Sequence, residues 1–410
     1  MTRPVLAVIE TSIGPYGMEP LRIARDLGLR PILFSAEPGR YPLAPQDEVI
    51  LCDTTNPGEI LNAVSRVPAP LAGVFSLTDY SVHAAALAAA GRGLPGLDPE
   101  VARLARDKAA TNAKLGEVGV PCANQLHVRT VTEAVEAAEQ LGYPVVVKPR
   151  AEAGGIGVSL CENQDDLSVA VEHQLLRTHD YRGRPIPTGC LIEEFLIGRE
   201  CSVEVLVLDG RYVVVGMSDK FLSPLPHFIE TGHLFPSAMR ADDCDSVLKV
   251  ALTALGAIGY NFGAAHLEIK LTADGPKVIE INPRVVGTPM PEIVTLATGR
   301  DYLRTVIALH AGLISPSSIQ KWPAATRWVA SRDLVSLEGG SLSCIRGERE
   351  AKMIPGVYKV SIHTDRSVVR PAKDNTDWLA TTMSLADTPY LAWRSAEVAT
   401  GLLRPEWAEL

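Results

Sequence analysis

Two strand-like runs, His266–Leu271 and Lys277–Ile281, flank the turn residues Asp274-Gly275. An Asp-Gly pair between alternating apolar residues is a strong hairpin signal. Pairing centred on Asp274 sets Glu268 directly opposite Glu280. The two-residue period of a strand then groups Val278, Glu280 and Asn282 on one face, with Ile279 and Ile281 on the other. Opposed Cβ atoms across such a pair lie only about 4.5–5.5 Å apart, so two carboxylates there repel unless something offsets their charge. A hard cation does so, and Mg²⁺ shared between carboxylates and phosphate oxygens is the usual arrangement. A solvated acidic face on an ordinary hairpin would present the same acids. Asn282 on the same face and Arg284 just beyond it favour a metal grip by Glu268, Glu280 and Asn282.

The chain around this hairpin reads as α/β. Residues 1–95 alternate strand-like and helical runs: Val5–Ile9, Met18–Leu27, Pro31–Phe34, Val49–Leu51 and Gly73–Phe75. Strands separated by helices imply a parallel sheet covered on both faces. Ligands of such sheets sit beyond the C-terminal strand ends. Those loops are Thr11–Gly17, punctuated by Gly14 and Gly17, and Ser76–Ser81. Asp98 is a suitable N-cap, and Pro99 opens a helix expected to run to about Val118. Thr130 and Glu133 form a capping box for the next helix. Further strands are expected at Val145–Val147, ending in Lys148-Pro149, and at Leu191–Phe195. Ser202–Leu208 and Tyr212–Val215 form a second hairpin around Asp209-Gly210. A helical stretch follows Pro289, then a more irregular region begins near Ser315. A chain of 410 residues exceeds what one core supports. The breaks divide it into 1–98, 99–190, 191–315 and 316–410.

The formal net charge of -9 gives no long-range attraction for nucleic acid or anionic lipid, so neither is an expected partner. The seven cysteines are scattered and never form C-x-x-C, which argues against a structural zinc site and suits reduced thiols in cytoplasm. The opening MTRPVLAVIET is too short in its apolar part for a signal peptide, and no apolar run approaches a membrane span.

Two more segments carry chemistry. Lys148 closes an apolar strand and precedes Ala151–Gly157, rich in glycine. Glycines let backbone N–H groups approach phosphates, and a strand-end Lys adds charge to the same anion. Tight hairpins also need glycines, so this loop alone decides little. Neither a Walker A sequence nor G-x-G-x-x-G after the first strand is present, which removes the two common nucleotide motifs. The third segment, Leu191–Glu200, runs from a strand into a Gly198 hinge. Its backbone can face a planar base, and Glu200 can accept hydrogen bonds from hydroxyls. Lys220 reads as a solvated loop lysine, and Trp322, Trp328, Trp378 and Trp393 as C-terminal packing.

In their order and spacing these pieces resemble the ATP-grasp superfamily. They are Arg106-Asp107-Lys108, VVVKP ending at Pro149, the Gly154–Gly157 loop, EEFLIGRE at 193–200, HLEIK at 266–270 and IEINPR at 279–284. Within it, ETGHLFP at 230–236 and the run RVVGTPMPEIV are most similar to dipeptide-forming amino-acid ligases. The resemblance implies an N-terminal parallel, Rossmann-like α/β domain, a small α+β lid and a large α+β domain with an antiparallel sheet. It implies that Lys108 and Lys148 contact ATP phosphates, and that Gly154, Gly155 and Gly157 cover them as a mobile lid. The backbone of Glu194, Phe195 and Leu196 would read adenine beside Glu193, and Glu200 would hold the ribose. Glu268, Glu280 and Asn282 would bind one or two Mg²⁺, with Mn²⁺ able to substitute. Arg284 and Lys148 would be catalytic. Asp79, Glu230, His233, Arg284 and Gly287 would face the substrates, Asp79 standing where relatives that take a free amino acid often carry Glu. The implied reaction joins a small-molecule carboxylate to an amine through an acyl phosphate. Bicarbonate activation or purine-pathway ligation is the alternative within the superfamily. A homodimer is compatible with this reading, which does not fix the assembly.

Overall fold

The computed structural model describes residues 3–13, 15–67, 70–363 and 368–408. Gly14, expected to punctuate the first loop, lies outside the described residues. The N-terminal sheet is parallel, in the order Glu48–Leu51, Arg30–Ser35, Val5–Ile9, Leu71–Phe75. Its central strand sorts its side chains by parity. Val5, Ala7 and Ile9 join a core with Ile60, Val64 and Ala88 from helices Pro57–Ser65 and Val82–Gly91. Leu6 and Val8 face the opposite way, into a core shared with Tyr302 and Ile307 of helix Tyr302–His310. Gly73 makes that second contact: a Cβ there would meet the His310 carbonyl oxygen at 2.1 Å.

The helix expected from Pro99 to Val118 is two helices, Pro99–Arg106 and Lys108–Glu117. Asp107 breaks it. Its backbone is extended, and its side chain accepts from the amides of Ala109 and Ala110 while pairing with Arg150. An Asp that bonds its own backbone in this way starts a helix rather than continuing one. Lys108 thereby becomes the first residue of the second helix.

The next unit is an antiparallel sheet in the order Gln125–Val128, Cys190–Glu194, Val145–Pro149, Ser159–Cys161. Helices Val131–Leu141 and Gln164–Leu175 pack on it through Ala134, Ala138, Leu167 and Val171. Thr130 accepts from the Glu133 amide and Glu133 from the Arg129 amide, so the side chain of Glu133 reaches one residue further back than a capping box requires.

The largest sheet has eight strands, every neighbouring pair antiparallel. One edge is the metal-grip hairpin, Gly275–Asn282 paired to Phe262–Thr272, followed by Gly198–Leu208, Arg211–Leu222 and Glu230–Phe235. Trp328–Leu334, Ala380–Ala386 and Val357–Ile362 complete the sheet, so the region expected to be irregular supplies three of its strands. Buried hydroxyls hid the pattern. Thr382 donates to the Ala396 carbonyl (3.0 Å) and Ser384 to that of Ala392. Satisfied in this way, a polar side chain occupies a core position that a hydropathy reading leaves blank.

The hairpin register is His266↔Asn282 and Glu268↔Glu280, as mirror pairing about Asp274 requires. It then slips, and Ile269 faces Val278. Ile279 is the extra residue of a bulge. The expected face assignment is therefore corrected at its lower end. Val278 joins Leu267, Ile269 and Ile281 in the core beneath helix Ala241–Ala257, while Ile279 turns toward the same cavity as Glu280.

Candidate active site

The glycine loop leaves strand Val145–Pro149 and folds over the open side of the hairpin. Gly154, Gly155 and Gly157 hold φ of +66°, +73° and +77°, values that L side chains rarely adopt. The loop, the hairpin and the segment after Glu193 enclose a first cavity. Its wall includes Lys108, Lys148, Gly154, Gly155, Glu193, Glu194, Phe195, Leu196, Glu200, Glu230, Glu268 and Glu280. These residues, drawn from all three expected inner segments, meet at one site. Gly157 does not reach the cavity. Its missing side chain makes room for Gln174, whose amide nitrogen donates to the Gly157 carbonyl at 2.7 Å.

Charges in this cavity interlock. Lys108 Nζ lies 2.8 Å from Glu280 Oε1 and donates to the Glu152 carbonyl at 2.7 Å. Lys148 Nζ sits 2.6 Å from Glu193 Oε2. Lys220, read from the sequence as a solvated loop lysine, is instead buried at the centre of the wall. Its Nζ is 2.9 Å from Glu268, 3.1 Å from Glu230 and 3.2 Å from Glu200. Burial alone would lower its pKa, but the three carboxylates raise it well above the usual lysine value. Burial likewise works against ionised Glu268, yet Lys220 and His266 hold that carboxyl well below the ordinary range. Glu200 also receives Lys270 at 3.2 Å. Glu194, also in this wall, gives its carboxylate to Lys277 (2.7 Å) and to the Asn124 amide. The adjacent wall is apolar, made by Ile156, Phe195, Leu222 and Ile279.

Beyond the glycine loop lies a second cavity of about 620 Å³. Ala153, Gly154, Ile156 and Asn375 line both spaces, so the loop stands between them. Asp79, Arg284 and Gly287 belong to this second wall. Arg284 Nε donates to Asp79 Oδ2 at 2.5 Å, and Arg106 approaches the other oxygen at 3.3 Å. Both oxygens of the shorter acid therefore meet guanidiniums, and as placed it orients Arg284. His233 and Asn282 line neither cavity. His233 Nε2 lies 3.1 Å from Glu230 and its buried Nδ1 has no partner. Asn282, with its amide nitrogen turned toward Asp79 and Glu280, reaches them at 3.2 and 3.1 Å. Trp378, expected as packing, lines the second cavity and donates to the Glu230 carbonyl at 2.7 Å.

The donor set suits a hard divalent ion. Glu268 and Glu280 face each other across the hairpin, are both ringed by cations, and share no hydrogen bond. With its amide turned the other way, Asn282 would present its oxygen to an ion beside Glu280. Among the described residues no group of three His, Cys, Asp or Glu forms a complete metal cage. Two carboxylates and an amide leave positions that phosphate oxygens would fill, as Mg²⁺ sites commonly require.

Several residues here escaped the sequence reading. Lys220 follows Asp219 at the polar end of an apolar strand, and that strand-end position was its only signal. Ile279 reached the cavity through a bulge that no local residue announces. His266 was quoted only as part of HLEIK, yet it bridges Glu204 (2.7 Å) and Glu268 (3.3 Å).

The ATP-grasp domain family matches residues 141–291. An uncharacterised protein of Sinorhizobium fredii is 30% identical over 365 residues, spanning 88% of this chain and 74% of that protein. D-alanine–D-alanine ligase of Mycolicibacterium smegmatis is 31% identical over 287 residues, spanning 65% of this chain and 74% of the ligase. Carnosine synthases are also similar but longer, the chain covering 37% of the Gallus gallus protein. Among solved structures, an L-amino acid ligase from Bacillus licheniformis aligns over 100% of both chains, with a TM-score of 0.85 at 22% identity.

Proposed function

The chain belongs to the ATP-grasp family, and from that premise we propose that it is an ATP-dependent carbon–nitrogen ligase joining a carboxylate to an amine, an amino acid or a derivative of one. The observation that carries this reading is the arrangement of the two cavities. An acid-and-lysine cavity with an apolar wall lies against a larger one that presents Arg284, and the glycine loop with Asn375 lines both. Residues 99–190 then act as the lid.

In the first step a carboxylate oxygen attacks the γ-phosphorus of ATP. The bond from that phosphorus to the bridging oxygen breaks, releasing ADP and an acyl phosphate. In the second step the amine nitrogen attacks the acyl carbon, the carbon–oxygen bond to phosphate breaks, and the amine proton passes to solvent or a base. Lys108 and Lys148 hold the phosphates. The backbone of Glu194 to Leu196 meets adenine, with Ile279 and Ile156 packing on it. Glu200 accepts from the ribose. Arg284, held by Asp79, stabilises charge on the transferring phosphoryl group and the acceptor carboxylate. Glu268, Glu280 and Asn282 would hold one or two Mg²⁺, whose chemistry is to neutralise charge on the phosphate oxygens. Closure of the glycine loop keeps water from the acyl phosphate. Mn²⁺ as a substitute ion, a cytoplasmic setting and a homodimer belong to the same proposal.

The size of the second cavity speaks for an organic carboxylate over bicarbonate, which would fill a small part of 620 Å³. Incubation with ATP, Mg²⁺, pooled carboxylic acids and hydroxylamine tests the proposal. Hydroxamates should form in step with ADP. ADP formation that ignores the acids, or requires bicarbonate, would overturn it.

A further inference from the structure

The second cavity has an uneven inventory of charge. Among the described residues of its wall, Asp79 is the one carboxylate, and Arg106 and Arg284 occupy both its oxygens. Among the described wall residues, no carboxylate without a guanidinium partner remains to receive an ammonium. Arg182, carried on the loop that follows helix Gln164–Leu175, belongs to the same wall. Its guanidinium donates to the Thr11 carbonyl at 2.8 Å and meets the Tyr41 hydroxyl at 3.4 Å. Both acceptors are neutral, and they use two of its five N–H donors. Behind the Tyr41 hydroxyl stands Glu10, accepting from it at 2.5 Å, while the Asp180 carboxylate accepts from the backbone amide of Arg182 at 2.8 Å and not from its guanidinium. No carboxylate among the described residues pairs with Arg182. Arg184, two residues on, lies outside this wall; its buried Nε has no partner among the described residues and its Nη2 donates to Ser81 at 2.7 Å. Burial with little compensation pushes its pKa down to about 10.

Resting on the ligase reading above, we propose that the carboxylate donor is a dicarboxylate. One carboxylate lies at Arg284 for phosphorylation, and the second, at the far end, is bound by Arg182. A planar guanidinium with free donors matches a carboxylate edge in two hydrogen bonds. A zwitterionic donor with its ammonium at that end would set a cation against Arg182, with no free acid to balance it. The cavity of about 620 Å³ accommodates such a donor together with an amine substrate. The Thr11 carbonyl and the Tyr41 hydroxyl hold the guanidinium in a residue that lines the cavity.

The test compares dicarboxylates, monocarboxylates and ω-amino carboxylates of matched chain length, with hydroxylamine as the amine and ADP and hydroxamate as readouts. The wild-type enzyme should favour the dicarboxylates. Arg182→Gln should lower the dicarboxylate-to-monocarboxylate ratio of kcat/KM by about 10- to 100-fold, the worth of one charged hydrogen-bonded contact. Arg182→Lys, which keeps the charge but not the two-bond match, should fall between wild type and Arg182→Gln, which separates loss of charge from a damaged loop. Preference for monocarboxylates or ω-amino carboxylates, or a ratio untouched in Arg182→Gln, would overturn the assignment while leaving the ligase reading intact. No ADP release with any class of acid would overturn both.

Discussion

At the scale of single residues, the account places phosphoryl transfer on Arg284 and the opposed acids Glu268 and Glu280. Arg284→Ala or Glu280→Ala should lower ADP release by roughly 10²–10³-fold, since each removes a preorganised charge contact. Thermal melts should show that both variants still fold. Turnover near that of the wild type in either variant would remove these residues from the mechanism. His266 gives a prediction in pH. Burial would lower its pKa from 6.5, but Glu204 and Glu268 raise it to about 9. A raised folded pKa contributes stability that is complete below the unfolded value and is lost as pH rises through the folded one. The difference in stability between wild type and His266→Gln should therefore be largest below about pH 6.5 and shrink toward pH 9. Denaturant melts across that range measure it, and a constant difference would show that the Glu204–His266–Glu268 bridge carries no proton-linked stability. The facing of Glu268 and Glu280 was legible in the sequence because an Asp-Gly turn fixes register locally. The environment of Lys220 was not, because its three carboxylates come from three other strands.

At the scale of elements, the glycine loop does what its residues allow and no other residue would. Gly155 has open space around it, the nearest atom to a Cβ being 3.7 Å away, so its φ of +73° is the constraint. Proline fixes φ near −65° and cannot adopt that conformation. Gly155→Pro should therefore misplace the lid and uncouple the reaction, with ADP released in excess of amide or not at all. A one-to-one ratio of ADP to amide in this variant would show that the loop does not shield the intermediate. Strands and helices with local signals were readable: the Asp209-Gly210 hairpin, the Thr130 cap and the parallel N-terminal strands all lie where expected. Three features were not, each for a physical reason. Asp107 splits a helix by bonding to its own backbone. Thr382 and Ser384 sit buried but satisfied, which erases the hydrophobic alternation of a C-terminal strand. The bulge at Ile279 turns an expected core side chain into cavity wall.

At the scale of the whole molecule, the arrangement of three sheets decides what the site can do. The N-terminal sheet contributes the Asp79–Tyr80 loop, the lid contributes Lys148 and Arg182, and the large sheet contributes the acids and Arg284. Glu152 of the glycine loop ties the first two together, accepting from Tyr80 at 2.5 Å and pairing with Arg177. A nucleotide cavity and a carboxylate cavity brought edge to edge in this way support one central claim, that a carboxylate oxygen is phosphorylated directly by ATP. Isotope transfer tests that claim. The enzyme is supplied with ATP, Mg²⁺, pooled amino acids and pooled carboxylic acids labelled with ¹⁸O in the carboxyl group, and the released phosphate is weighed by mass spectrometry. The account predicts one ¹⁸O atom in each phosphate, formed together with ADP. Unlabelled phosphate, or release of AMP and pyrophosphate, would contradict it.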